Sequence, residues 1–177
     1  MKWLTRNRLA GLLLAGMVFA TDQLVKWVVV GPLALRERGV IELLPFFDLR
    51  WTQNFGVSLG MFTADSQEMR WILVAVTALI AAAVFVWMMR EKAGWDIAAL
   101  ALVLGGALGN IRDRSQLGYV IDYADFHIGE FRPFLIFNVA DAAITIGVVI
   151  ILARSFFLRE KPADTETDKK GESPAET

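Results

Sequence analysis

The chain has 177 residues, of which 55% are hydrophobic, and its formal net charge is −1. This composition, with a mean hydropathy of +0.47, is too apolar for an ordinary soluble domain and indicates a protein embedded largely in lipid. The absence of cysteine excludes disulfides and thiolate catalysis, the single histidine argues against zinc sites and Ser-His-Asp triads, and no basic face for nucleic acid is visible.

Four apolar stretches follow along the chain, each near the roughly 20 residues needed to cross about 30 Å of hydrocarbon. They lie at about 9–30, 71–89, 95–111 and 134–157. The tryptophans mostly fall near the ends of these stretches, where amphipathic rings prefer the boundary between lipid and water. We therefore predict an all-α membrane protein with four transmembrane helices, in one domain over residues 1–158.

The first stretch follows several basic residues, a pattern that a cleavable signal peptide also shows. Its apolar run resumes through Val30 after Asp22 and Gln23 instead of ending at a small-residue cleavage site, which favours a retained helix. Basic residues also lie between the second and third stretches and after the fourth. The positive-inside rule then predicts that both termini are cytoplasmic.

Two outer segments join the helices, at residues 31–70 and about 112–133. The first contains an alternating stretch, Asp48-Leu-Arg-Trp-Thr-Gln-Asn54, which predicts a short strand that runs into Gly56 and a small sheet on the membrane surface. Residues 159–177 hold four basic and six acidic side chains and are too polar to bury a core. We expect them to form a disordered cytoplasmic tail.

Ionisable residues inside the predicted helices need partners, because each costs at least about 2.5 to 3.5 kcal/mol near the centre of a bilayer. Asp22 and Lys26 lie four residues apart on the first helix, so they share a face and can form an ion pair. The third stretch ends in a glycine-rich run followed by Asn110, Asp113 and Arg114, which project from one side if the helix continues that far. This polar end indicates a cavity that opens to the outside.

The fourth stretch carries Asn138 and Asp141 on one face. In a helix that begins near residue 134, Asp141 would lie roughly 10 Å along the axis, where an unpaired carboxylate is expensive. It therefore needs a proton or a cation. One interpretation is a structural ion pair between Asp141 and Lys26 or Arg114.

The other interpretation is a pair of acids. Asp122 and Asp125 lie in the outer segment between the third and fourth stretches, which can fold back over the bundle and reach Asp141. Two carboxylates held a few ångströms apart keep one proton near neutral pH. One acid can then deprotonate water while the other polarises a carbonyl, which is peptide hydrolysis of the aspartic type.

Five segments of the chain, in this order, resemble the motif set of the bacterial lipoprotein signal peptidases (signal peptidase II), a family of aspartic membrane peptidases. They are Asp22-Gln-Leu-Val-Lys26, Asn54-Phe-Gly56, Gly109-Asn-Ile-Arg-Asp-Arg114, Val120-Ile-Asp-Tyr123 and Phe137-Asn-Val-Ala-Asp141. The resemblance covers about residues 9–157. It implies a four-helix bundle with a small extracytoplasmic sheet and a re-entering outer segment, in the bacterial cytoplasmic (inner) membrane, with the active site near its outer face.

The resemblance also implies roles for individual residues. Asp122 and Asp141 would be the catalytic dyad, and Asp125 is the rival of Asp122 because it lies only three residues away. Supporting or substrate-contacting positions would be Asp22, Lys26, Asn54, Gly56, Asn110, Asp113, Arg114 and Asn138. Two residues depart from the family pattern: Arg112 stands where an apolar residue is usual, and Tyr123 replaces the commoner phenylalanine.

The implied reaction is removal of signal peptides from prolipoproteins, by cutting before a cysteine that carries a diacylglyceryl group. It would need no metal and no cofactor, and the partners would be lipid-modified prolipoproteins and membrane lipids.

Two other functions are consistent with parts of the sequence. A serine peptidase would pair Ser58 or Ser115 with Lys26 as nucleophile and general base. A small membrane transporter or ion relay would pass ions along intramembrane carboxylates. The clustering of the polar residues at one membrane face, instead of along a through path, argues against the transporter.

Overall fold

Four long helices form the bundle of the computed structural model, which describes residues 4–56 and 67–157. The helices are α1 (Arg6–Val30), α3 (Gln67–Arg90), α4 (Gly94–Leu117) and α5 (Val139–Phe157), and a one-turn helix, α2 (Leu35–Arg38), follows α1. Each long helix has the length and the apolar composition to cross a membrane. The predicted four membrane helices are thus confirmed, whereas the predicted tail at 159–177 and Ser58 lie outside the described residues.

Helix α4 lies at the centre of the bundle, in contact with α1, α3 and α5. Glycines on two sides of α4 allow this close packing. A Cβ atom at Gly105 would lie 2.5 Å from the carbonyl oxygen of Ala15 on α1, and one at Gly106 would lie 2.4 Å from that of Ala140 on α5. Since real side chains do not tolerate such distances, the small residues set the separation of the helices.

Three antiparallel strands form a small sheet in the order β1 (Val40–Leu44), β2 (Phe47–Asn54) and β3 (Val120–Phe126). The strand predicted around residues 48–54 is therefore present as β2. In the register of β2 and β3, Thr52 pairs with Asp122 and Asp48 pairs with Asp125. Because Asp122 and Asp125 are three residues apart on one strand, their side chains point to opposite faces of the sheet.

The observed ends of α4 and α5 differ from the predicted ones. Helix α5 begins at Val139 rather than near residue 134, because Phe137 is extended and exchanges backbone hydrogen bonds with Ala124 of β3. Asp141 therefore lies in the first turn of α5 and not 10 Å along it. Helix α4 continues six residues past the predicted end at 111 and stops at Leu117, before Gly118, whose φ is +88°.

Candidate active site

Lys26 joins two buried carboxylates from different helices. Its Nζ lies 2.9 Å from Asp22 Oδ2 on α1 and 2.7 Å from Asp113 Oδ2 on α4, and all three side chains are nearly inaccessible to solvent. The i,i+4 spacing predicted the contact with Asp22, and α4 supplies the second acid. Since Lys26 is engaged on both sides, it is not available as the general base of a serine nucleophile.

We call Asp22, Lys26 and Asp113 the triad. Its two acids also accept hydrogen bonds from backbone amides of other segments. Asp22 Oδ1 accepts a hydrogen bond from the amide of Ala140 at 3.1 Å, and Asp113 Oδ2 accepts one from the amide of Ile121 at 3.3 Å. Ala140 and Ile121 are the residues that directly precede the two members of the predicted dyad. The triad therefore positions the backbone at both acids.

Two asparagines connect Asp122 with Asp141. Asn138 Nδ2 donates to Asp122 Oδ1 at 2.6 Å, and Asn110 Nδ2 donates to Asp141 Oδ1 at 2.8 Å. The asparagines also contact each other, since Asn138 Nδ2 lies 3.3 Å from Asn110 Oδ1. Asn54, at the end of β2, donates to the other oxygen of Asp122 at 2.9 Å. The structure thus brings the predicted dyad and three of its predicted supporting residues into one hydrogen-bond network.

The start of α5 fixes the position of Asp141. Asn138 Oδ1 accepts from the backbone amide of Asp141 at 2.9 Å, and Asp141 Oδ2 accepts from the backbone amide of Asn138 at 3.3 Å. This reciprocal arrangement is a capping box, in which Asn138 is the N-cap. It places the Asp141 carboxylate at the positive end of the helix dipole, where negative charge is stabilised. In the sequence alone, the same spacing indicates two positions on one helical face.

The pKa of Asp122 is raised from its ordinary value to about 6. Burial is the main cause and the charge of Asp141 adds to it, whereas hydrogen bonds from Asn54 and Asn138 act in the opposite direction. Asp122 therefore keeps its proton to higher pH than a surface aspartate. An acid of this kind beside a second carboxylate can donate a proton while its neighbour accepts one from water.

Arg114 presents an unpaired donor at the same end of the bundle. Its Nε is buried and has no hydrogen-bond partner among residues 4–56 and 67–157, and its charge interacts with those of Asp141 and Asp122. A Cβ at Gly56 would lie 3.5 Å from Arg114 Nη2 and 3.1 Å from Leu73 Cδ1, and Gly56 has a φ of +78°. Glycine therefore lets the chain after β2 pass close to this guanidinium.

Asp141 forms no ion pair with Lys26 or Arg114 in the described part of the chain. The structural interpretation, in which Asp141 is neutralised by one of these cations, thus has no contact to support it.

Asp125, the rival acid, has a different environment. It is fully buried, and its Oδ2 lies 2.8 Å from Arg50 Nε and 3.1 Å from Arg132 Nε. Burial alone would raise the pKa of Asp125, but the hydrogen bonds and charges of the two arginines lower it below its ordinary value. Asp125, whose pKa is lowered and whose side chain lies on the opposite face of β3 from Asp122, is not placed to share a proton with Asp141.

A cavity of about 460 Å³ opens beside Asp141. Its other walls are mainly apolar and are formed by Phe126, Phe134, Leu135, Phe137, Ala142, Thr145 and Ile146. This cavity can accept an apolar group next to the carboxylate. In contrast, no group of three histidine, aspartate or glutamate side chains suited to a metal ion occurs in the described ranges.

Sequence reasoning missed Gln23, although a polar residue next to Asp22 in an apolar helix is a usable signal. Gln23 Nε2 donates to Asp22 Oδ2 at 3.0 Å and to Asp113 Oδ1 at 3.2 Å. Arg112, which departs from the family pattern, donates to the side-chain oxygen of Gln23 and so reaches the triad only indirectly. The hydroxyl of Tyr123, the second departure, accepts a hydrogen bond from the first residue of α5.

Comparison with known proteins agrees with the family resemblance of the five sequence motifs. The family model described as signal peptidase (SPase) II matches residues 14–157. Lipoprotein signal peptidases of Rhizorhabdus wittichii and Sphingopyxis alaskensis are each 56% identical to this chain, over 160 and 156 residues. The first alignment covers 90% of this chain and 93% of the relative. The second covers 88% of this chain and 90% of the relative.

Two solved structures described as bacterial membrane enzymes also match, with TM-scores of 0.69 and 0.71 at 27% and 29% identity. The first alignment covers 93% of this chain and 94% of the other, and the second covers 84% and 93%. The fold is therefore shared with these enzymes over nearly its whole length.

Proposed function

Because the chain belongs to the signal peptidase II family, whose members are aspartic peptidases that remove signal peptides from prolipoproteins, we propose that Asp122 and Asp141 are its catalytic dyad. The main support for this proposal is the position of Asn138 between the two acids. Its side chain donates to Asp122 and its backbone amide donates to Asp141, so one residue holds two acids from distant parts of the chain.

In the proposed reaction a water molecule lies between the two acids. Asp141 takes a proton from this water, and the hydroxide attacks the carbonyl carbon of the scissile peptide while Asp122 donates its proton to the carbonyl oxygen. Asp141 then gives the proton taken from water to the amide nitrogen, while Asp122 takes a proton back from a hydroxyl of the tetrahedral intermediate. The C–N bond breaks, which releases the new amino terminus and restores the starting protonation of the two acids. The Arg114 guanidinium, whose charge interacts with those of Asp141 and Asp122, can stabilise the negative charge that develops on the carbonyl oxygen.

The substrate must be extended at the cleavage point, because a spanning helix hides its peptide bonds in its own hydrogen bonds. The end of β2 at Asn54 lies over Asp122, and the apolar cavity lies beside Asp141. We propose that the peptide binds between them and is cut before a cysteine that carries a diacylglyceryl group. Phe134 and Leu135 on the cavity wall are largely exposed, which allows the acyl chains of this substrate to remain in lipid.

The proposed location is the bacterial cytoplasmic membrane, with both termini in the cytoplasm and the sheet at the outer face. In this arrangement residues 1–158 are the peptidase domain. The other end of the bundle, between α1, α3 and α4, is filled by apolar side chains such as Met88, Ile97 and Leu100. This packing does not favour the alternative of an ion relay across the membrane.

The test uses purified protein and a lipid-modified prolipoprotein, with mass spectrometry of the products. Asp122→Asn and Asp141→Asn should each reduce cleavage to background, because either change removes one proton-transfer group. Asp125→Asn and Ser115→Ala are the matched controls and should keep the wild-type kcat. Cleavage by either dyad variant at a rate similar to the wild type would contradict the proposal, and loss of activity in Ser115→Ala would favour a serine mechanism.

A further inference from the structure

Two arginines are fixed side by side by one buried carboxylate at the edge of the sheet. Arg50 on β2 and Arg132 in the segment after β3 both contact Oδ2 of Asp125, which is fully buried. The arginine side chains themselves are 37% and 40% exposed. Because Asp125 neutralises only one of the two guanidinium groups, this cluster carries a net charge of +1. We call these three residues the arginine clamp.

Each guanidinium uses only its Nε for Asp125 among the described residues, which leaves the terminal Nη groups for another acceptor. The neighbouring carboxylate does not compete for them. Asp48, which pairs with Asp125 across the strands, has its Oδ2 3.0 Å from His127 Nε2. Two adjacent guanidinium groups with free donors match the geometry of a phosphate, which accepts several charge-assisted hydrogen bonds.

The residues around Arg132 indicate which phosphate the clamp meets. Phe131 and Phe134 on either side of it are 66% and 64% exposed, and Leu135 is 89% exposed. This segment leads within a few residues into α5, one of the membrane helices. Exposed aromatic and aliphatic side chains next to an arginine are typical of the boundary between acyl chains and headgroups. A site for a soluble anion would gain nothing from such neighbours.

We propose that the arginine clamp binds the phosphate of an anionic phospholipid, while the exposed apolar side chains beside it enter the acyl region of the same leaflet. This inference rests on the proposed position of the sheet at the membrane surface and not on the catalytic dyad. Phe134 and Leu135 also line the cavity at Asp141. The bound lipid therefore lies at the rim of the active site. There we expect it to favour substrate binding, because it would order Phe134 and Leu135 before the substrate arrives.

The experiment compares protein in nanodiscs of phosphatidylcholine alone with protein in nanodiscs that also contain phosphatidylglycerol. Native mass spectrometry measures retained phosphatidylglycerol, and a cleavage assay measures KM and kcat. For the wild type we expect retention of phosphatidylglycerol and a lower KM in the anionic nanodiscs. Arg132→Gln and Arg50→Gln should each weaken retention about tenfold, the loss expected for one charge-assisted contact, and should abolish the difference in KM without lowering kcat.

Several controls make the result specific. Arg36→Gln changes another exposed arginine, on α2, and should leave retention unchanged. If the single variants unfold, the double variant Asp125→Asn with Arg132→Gln, which removes the buried carboxylate together with one guanidinium, should still weaken retention about tenfold. Asp141→Asn should retain the lipid as the wild type does, which separates a failure of this proposal from a failure of the dyad.

Equal retention by wild type and both arginine variants would overturn the proposal. Displacement of the lipid by an equal concentration of soluble glycerol phosphate would also overturn it, because the site would then bind free phosphate without a membrane.

Discussion

Gly106→Ala tests whether the contact between α4 and α5 sets the geometry of the dyad. The added Cβ would lie 2.4 Å from the carbonyl oxygen of Ala140 and 2.9 Å from Ile144 Cγ1. An ordinary contact needs at least 3.4 Å, so α4 and α5 must separate by about 1 Å at this level. Asn110, one turn further along α4, donates to Asp141 at 2.8 Å, and this hydrogen bond would be lost or weakened.

The expected loss follows from these distances. A displacement of about 1 Å at a catalytic group costs on the order of 100-fold in rate, and overpacking of this kind lowers the free energy of unfolding by about 1 to 3 kcal/mol. Cleavage of a lipid-modified prolipoprotein gives kcat/KM, and tryptophan fluorescence during heating in detergent gives the stability. We expect kcat/KM to fall about 100-fold, with a lowered Tm.

Two matched glycines separate local from global effects. A Cβ at Gly147 would lie 2.6 Å from the carbonyl oxygen of Ala99, at the same helix pair but away from the dyad, whereas a Cβ at Gly16 on α1 meets nothing within 4 Å. Gly147→Ala should lower the Tm similarly but keep kcat/KM within about tenfold. Gly16→Ala should resemble the wild type or gain up to about 1 kcal/mol in stability. If Gly106→Ala and Gly147→Ala lose the same activity, the geometric reasoning is wrong.

Other predictions follow from the charges of the site. Asn54→Ala removes a hydrogen bond that lowers the pKa of Asp122, so the descending limb of the pH–activity profile should move to higher pH; an unchanged limb would show that Asp122 does not control it. The raised pKa of Asp122 also means that its contribution to stability is complete below pH 3.8 and is lost as the pH rises through about 6. Asp122→Asn should therefore reduce the fall of Tm over this range. Lys26→Met leaves two buried carboxylates without a cation and should destabilise the protein by about 3 to 5 kcal/mol, and adding Asp113→Asn should restore part of this loss in denaturation experiments. Because the arginines lower the pKa of Asp125, its stabilising contribution is present above its ordinary pKa and is lost on acidification; Asp125→Asn should flatten the acid side of the stability profile.

The membrane helices and the first ion pair could be predicted from local sequence. In lipid every backbone amide must be satisfied within its own segment, so a long apolar run has few alternatives to a helix. The contact between Asp22 and Lys26 follows from helical spacing alone. The choice of Asp122 over Asp125 came from resemblance to a family, because nothing in the spacing distinguishes two acids three residues apart on one segment.

Tertiary structure decides what depends on pairing between distant segments. The pairing of β2 with β3 directs Asp125 to two arginines and Asp122 to Asn54, since alternate residues of a strand face opposite sides. The backbone pairing of Phe137 with β3 delays the start of α5 and brings Asp141 into its first turn, where Asn138 can hold both acids. Residues far apart in the chain make these contacts, and so their energies do not appear in any local window of the sequence.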